Sequence, residues 1–220
     1  MRKLQLSIAA LALVFATSCG NNAEGTKVEA TDAQATTETV GAASYKVDNA
    51  ATKIEWKGSK AIGDFHTGTI GLKDGSEVLV EGGKVTGGKF IFDFATLVST
   101  DLTGEMADKL KGHLLAEDFL AVEKFPEGYF VITSVVEGAP ADSKVAGATH
   151  TINGNLTLRG VEKGISFPAV VTVTDNQVTT VSDLYFDRTQ WGISYGSEGS
   201  VKDQLINKEV ELKLNVTANK

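Results

Sequence analysis

The sequence predicts an all-β fold, an eight-stranded antiparallel up-and-down barrel with one short helical insertion. Three observations lead there. Long runs alternate apolar and polar residues, turn-forming residues separate many of these runs, and one stretch switches to a helical period. Alternation sends successive side chains to opposite faces of a strand, so each run has one face that can be buried.

The runs follow in order. Lys53–Lys57 alternates around Ile54 and Trp56, and Thr67–Lys73 around Ile70 and Leu72. Lys84–Ala95 sets Phe90, Phe92 and Phe94 on one face against Lys89, Ile91, Asp93 and Ala95 on the other. Tyr129–Glu137, His150–Leu158, Gly164–Thr174 and Val178–Arg188 come next, and Glu209–Thr217 carries Val210, Leu212, Leu214 and Val216 on one face. Between them stand Lys73-Asp74-Gly75, Glu81-Gly82-Gly83, Glu137-Gly138-Ala139-Pro140 and Thr174-Asp175-Asn176-Gln177. Asp-Gly, Gly-Gly and Asp-Asn supply the positive φ of hairpin turns, so neighbouring strands pair antiparallel. Several runs are longer than the usual strand of about five to six residues. Closing such a set into a barrel removes the exposed edges that a flat sheet would keep.

One segment departs from this pattern. Thr103 can cap a helix whose Met106, Leu110 and Leu114 fall on one stripe. A second short element around Glu117–Ala121 leads to Phe125-Pro126, where proline favours an extended Phe125. In a barrel the natural place for such an insertion is across an open end.

The chain starts with Met1, Arg2 and Lys3, runs through apolar residues from Leu4 to Phe15, and reaches Ala16-Thr17-Ser18 before Cys19. The apolar run is shorter than the roughly 20 residues a spanning helix needs. A basic start, a short apolar run and small residues are the pattern of an export signal, here 1–18. Cys19 is the chain's single cysteine, so no intramolecular disulfide forms. Its position resembles that of the acylated cysteine in bacterial lipoprotein signals, with Ala16 where Leu or Val is usual; cleavage after Ser18 without acylation stays open as the alternative. Acylation would attach the protein to a membrane through Cys19, because several chains on one residue hold firmly where one chain binds marginally. Residues 19–44 contain no aromatic side chain and read as a flexible tether. At roughly 25 residues it would span on the order of 28 Å. The folded domain is expected over 45–218.

The formal charge is −7; loss of Arg2 and Lys3 with the leader leaves 19 basic residues against 28 acidic ones, a net −9. Without a basic cluster, nucleic acid and anionic lipid headgroups are poor partners.

Five motifs in this order resemble the YceI-like family of secreted polyisoprenoid-binding proteins with a lipocalin-like barrel. They are Tyr45-Lys46-Val47-Asp48 with Ile54-Glu55-Trp56; His66-Thr67-Gly68; Gly112-His113-Leu114 through Glu117-Asp118-Phe119 to Glu123-Lys124-Phe125-Pro126; Ile152–Gly160; and Phe186-Asp187-Arg188-Thr189-Gln190-Trp191-Gly192-Ile193. The chain departs from the family's pattern at Leu110-Lys111, where Arg-Asp is frequent, and at Asp118-Phe119-Leu120, where Asp-Phe-Phe is common.

An eight-stranded barrel is filled by its own side chains or holds one ligand, and alternation alone leaves both open. The resemblance implies the second: a non-enzymatic carrier of a long apolar lipid in the cell envelope, periplasmic or attached to the outer membrane. Its wall would be Phe90, Phe92, Phe94, Phe130, Ile132, Leu156, Phe167, Leu184, Phe186, Leu212 and Leu214. Trp56, Ile70, Leu110, Leu114, Phe119 and Trp191 join them as site residues, with His113 at the mouth, where Lys109, Lys111 and Arg188 are further headgroup candidates. No cofactor or metal is implied, and a homodimer stays open. An enzyme on a lipid-like substrate and an envelope protein with a filled barrel are the alternatives.

Other motifs carry less. Gly192-Ile193-Ser194-Tyr195-Gly196 matches the G-x-S-x-G elbow, but no histidine follows His150 and no strand-to-helix turn is predicted. His66, His113 and His150 lack metal-ligand spacing. Asn155-Leu156-Thr157 and Asn215-Val216-Thr217 match the glycosylation sequon, yet both lie within predicted strands.

Overall fold

The computed structural model describes residues 23–36, 41–198 and 205–220. The leader and Cys19 lie outside the described residues. Eleven strands and one α-helix form among the described residues: β1 (Thr26–Val28), β2 (Ala43–Val47), β3 (Lys53–Lys60), β4 (Phe65–Leu72), β5 (Glu77–Glu81), β6 (Lys84–Ser99), α1 (Gly104–Leu115), β7 (Gly128–Glu137), β8 (His150–Leu158), β9 (Val161–Val173), β10 (Gln177–Asp187) and β11 (Ile206–Asn219).

β3, β4 and β6–β11 are the eight expected strands, and pairing of β10 with β11 closes them into an antiparallel barrel. Two-residue hairpins set the register where the backbone allows: Gly82 and Gly83 both have positive φ between β5 and β6, as do Arg159 and Gly160 between β8 and β9. Short β2 and β5 add a second layer of closure at one end, since β2 bridges the end of β11 to β5, and β5 pairs with the first half of β6. Tyr45, Val78, Val80, Val178 and Ala218 are buried together there, making this the closed end.

The opposite end is open. The second half of β6 pairs with β4, and β6 meets β7 across Gly88–Phe92, leaving the last residues of β6 beyond that ladder. α1 fills this side, with the Lys111 ammonium donating to Ala95 O at 2.7 Å. The helix is where the 3.6-residue period put it. Thr103 occupies its N-cap position but makes no side-chain cap, and Gly104 opens it at φ +57°.

The tether reading of 19–44 needs correction over its described part. β1 pairs parallel with β10, matching Thr26–Val28 with Leu184–Phe186. Thr31 and Gly164 exchange backbone hydrogen bonds, and Gln34 N donates to the Asn155 side chain. The docking has a cause in the wall. The β9–β10 ladder reaches no further than Val170↔Val181; Pro168 has no N–H to extend it, and the Ser182 hydroxyl donates to the Pro168 carbonyl instead. The upper edge of β10 is therefore free, and β1 takes it, burying Val28 in the main core.

Candidate functional site

The barrel's inward faces enclose a cavity of about 580 Å³ beneath the open end. That lies inside the roughly 300–1,000 Å³ range of small-molecule sites. Its wall takes Ile54 and Trp56 from β3, Ile70 from β4, Phe92, Phe94 and Leu97 from β6, Leu156 and Leu158 from β8, Phe186 from β10, and Val210 and Leu212 from β11. α1 supplies Leu110 and Leu114, and the turn after it Phe119 and Leu120. A second space of about 80 Å³ continues toward the closed end and shares Ile54, Phe92, Leu156, Phe186 and Leu212 with the first. There Phe90, Phe130 and Phe167 pack ring to ring, with centroids 6.2 Å and 5.6 Å apart. The barrel is thus hollow above and largely filled by its own aromatics below.

Fourteen of the sixteen expected ligand-binding residues line one space or the other. Trp56, Ile70, Phe92, Phe94, Leu110, Leu114, Phe119, Leu156 and Phe186 face the large cavity, whereas Phe90, Phe130, Ile132, Phe167 and Leu184 line the narrow space. Trp191 and His113 are the exceptions. Trp191 is fully buried, donates Nε1–H to Leu156 O at 2.9 Å and meets Phe186 edge-on, so it braces the wall. His113 packs edge-on against both Phe119 and Tyr195, with Asp118 3.4 Å away. Of the further mouth cations, Lys109 pairs with Glu105 on the surface, and Lys111 serves β6.

Arg188 does line the cavity, and it is a buried charge. Its guanidinium donates to the carbonyls of Ile193, Tyr195, Ile206 and Asn207, and lies over the Phe119 ring. Burial draws its pKa below the usual value, while Asp187 and Glu209 pull the other way. The four carbonyls tie the strand end after β10 to the start of β11, so Arg188 holds the mouth's shape as well as carrying charge to it. Trp56 is the second unusual group. Its ring lies against Gly68, where a Cβ would come within 2.3 Å of the indole, so only glycine permits this placement. Its Nε1 is buried and has no hydrogen-bond partner among the described residues.

Sequence reasoning missed the residues of the mouth. Lys60, Gly63, Asp64, Phe65 and His66 come from the β3–β4 hairpin, and Ile193, Ile206, Asn207 and Glu209 from the segments flanking the start of β11. Gly63, Asp64 and Ile193 lie in connections, which carry no period, and the others lie at strand ends, where too few residues remain for alternation to mark an inward face. His66 and Asp101 form a pair at 2.8 Å. Burial raises the Asp101 carboxyl, but hydrogen bonds from His66, the Thr67 amide and the Ser99 hydroxyl outweigh it and hold the pKa at about 2. Asp101 therefore braces the β4–β6 edge with its oxygens already engaged. Among the described residues, no three His, Cys, Asp or Glu side chains gather into a metal-binding group.

Comparison with known proteins follows from this geometry. The YceI-like domain profile matches residues 45–218. A UPF0312 protein of Pseudomonas putida (strain W619) is 32% identical over 130 residues, 58% of this chain and 62% of the relative; the same identity and coverage recur in strain GB-1. The chain thus spans about three-fifths of the length of these curated relatives. Among solved structures, Burkholderia cenocepacia BcnA superposes with a TM-score of 0.58 at 20% identity, covering 78% of this chain and 99% of that one. A polyisoprenoid binding domain from Saccharophagus degradans, implicated in plant cell wall breakdown, gives 0.55 at 12% identity, over 80% and 97%. At these identities the likeness is one of fold.

Proposed function

Because this chain belongs to the YceI-like family and its barrel opens at one end into an apolar cavity, we propose that it is a non-enzymatic carrier of a long apolar lipid, a polyisoprenoid, in the bacterial cell envelope. The observation that carries this reading is the cavity of about 580 Å³ walled by Phe, Leu and Ile side chains. Each methylene moved from water into such a wall contributes about 0.8 kcal/mol. A tail of a few dozen carbons therefore offers more gross transfer energy than the roughly 18–21 kcal/mol at which affinities saturate, and ordering the tail takes much of it back. Affinity resides in the tail, and few polar contacts are needed. That a domain of the same fold is a polyisoprenoid binding domain supports the ligand class. The leader at 1–18 and acylation of Cys19 supply export and a membrane anchor.

Mass spectrometry of solvent extracts, made from protein purified out of its native host, tests the proposal. A prenyl-type molecule is expected, in an amount close to that of the protein. Phe92→Asp puts an unpaired charge where the two spaces meet, and the folded variant should lose the lipid. Folded wild-type protein that yields none, or a folded variant that keeps it, overturns the reading.

A further inference from the structure

Seven large apolar side chains are exposed among the described residues, and they are not scattered evenly. Ile62 (48% exposed) and Phe65 (52%) sit on the β3–β4 hairpin, Met106 (59%) lies one turn before cavity-lining Leu110 on α1, and Tyr195 (45%) packs on His113 and Phe119. These four come from three separate segments, and all flank the cavity mouth. Of the other three, Val98 lies one residue before the end of β6, Val136 at the far end of β7 and Val181 midway along the β10 wall. Single exposed apolar residues need no explanation, but a rim of them continuous with an apolar cavity does.

The geometry points to a lipid bilayer as the occupant: we propose that the rim of Ile62, Phe65, Met106 and Tyr195 seats on a membrane surface, mouth inward. The proposal rests on the lipid-carrier reading, because a guest that water will not dissolve has to enter from a bilayer and leave into one.

The docked N-terminal arm limits how far from the barrel that membrane can lie. A free tether of about 25 residues would let the barrel float and turn, with a span on the order of 28 Å. In the structure the chain is held from Thr26 onward, and Gly25 lies against Asp183. Six Cα-to-Cα steps separate Cys19 from Gly25, a reach of at most about 22 Å. Asp183 stands four residues from the mouth end of β10 and six from its other end. β1 runs parallel to β10, toward the mouth, so the chain before Thr26 leads back toward the closed end, and a membrane holding acylated Cys19 lies close to the barrel wall and within reach of either end. The rim then decides which surface faces the lipid. With a net charge of −7, attraction to anionic headgroups contributes nothing, so the contact is apolar and insensitive to salt.

The test uses the full exported chain carrying Cys19→Ser, so that rim contact is measured without the anchor. A polarity-sensitive nitrobenzoxadiazole label is placed at Ile62→Cys or, for comparison, at Val136→Cys, and phosphatidylcholine vesicles are added. The label at 62 should shift to the blue and be quenched by nitroxide-bearing phosphatidylcholine, while the label at 136 stays in water. In vesicle sedimentation, Ile62→Ser combined with Met106→Ser should weaken partitioning about tenfold. A label at 62 that stays water-like, equal shifts at both positions, or unchanged sedimentation of the double variant each overturn the docking. Extracts of the same proteins judge the carrier reading separately. An empty extract beside a membrane-buried label at 62 would sink carriage and leave docking standing.

Discussion

Asp101 illustrates how single side chains hold the mouth open. Its carboxylate ties the end of β6 to β4 through His66, Thr67 and Ser99, and its pKa of about 2 lies below the 3.8 of a free group. A carboxyl depressed in the folded state stabilises the protein above the unfolded pKa, and that contribution is lost as pH falls through the folded one. Asp101→Asn should therefore cost roughly 1–2 kcal/mol at neutral pH, discounted for partial exposure. The gap between variant and wild type should close between about pH 4 and pH 2. Urea unfolding at a series of pH values measures it; a gap that persists at pH 2 would mean that packing, not charge, was removed. None of this was legible in the sequence, where His66 and Asp101 stand 35 positions apart and no local pattern joins them. The inward Phe90, Phe92 and Phe94 were legible, because period-two alternation fixes a strand's faces whatever its neighbours do. Trp191 and His113 were not, since each leaves a turn or helix whose direction depends on contacts made after the chain has closed.

Among the elements, the long strands announced themselves and the short ones did not. Glu81-Gly82-Gly83 was readable as a turn, yet the strand before it, β5, was passed over although Val78 and Val80 alternate. At five residues it falls within ordinary loop lengths. β1 is a harder case. Thr26–Val28 lies in a composition that suits disorder, with Val28 its one apolar residue. What orders it is the upper edge of β10, left open where Pro168 ends the β9–β10 ladder, and that edge exists only in the folded barrel. β1 is in effect a staple in the wall beside the cavity. Val28→Ser should expose the seam and cost roughly 2 kcal/mol, lowering Tm by about 4–8 °C. Proteolysis should then begin between residues 24 and 42, and resistance there equal to wild type would contradict the staple.

For the molecule as a whole, the barrel divides its interior between stability and occupancy. Aromatic rings pack the closed end and keep the fold without a guest, while the upper half forgoes those contacts to leave room. A void of that size walled by carbon costs the folded state dispersion contacts that a tail would restore. The sequence disclosed the barrel but not this division, because the same alternation of large apolar residues writes both a packed core and a cavity wall. The difference lies in part in α1, whose Leu110 and Leu114 complete the cavity wall from outside the strands. Occupancy should therefore register as stability. A ligand at about 100 times its Kd adds about 2.7 kcal/mol to the folded state, which for a domain of this size raises Tm by roughly 5–10 °C. Protein stripped of lipid by solvent extraction and refolded should melt that much lower than protein as isolated. A C35–C45 polyprenol added back should restore the difference, whereas a short alkane such as decane should restore little of it. Equal melting of stripped and loaded protein would mean that the cavity wall gains nothing from a guest, and that the open half of the barrel is held rigid by the strands alone.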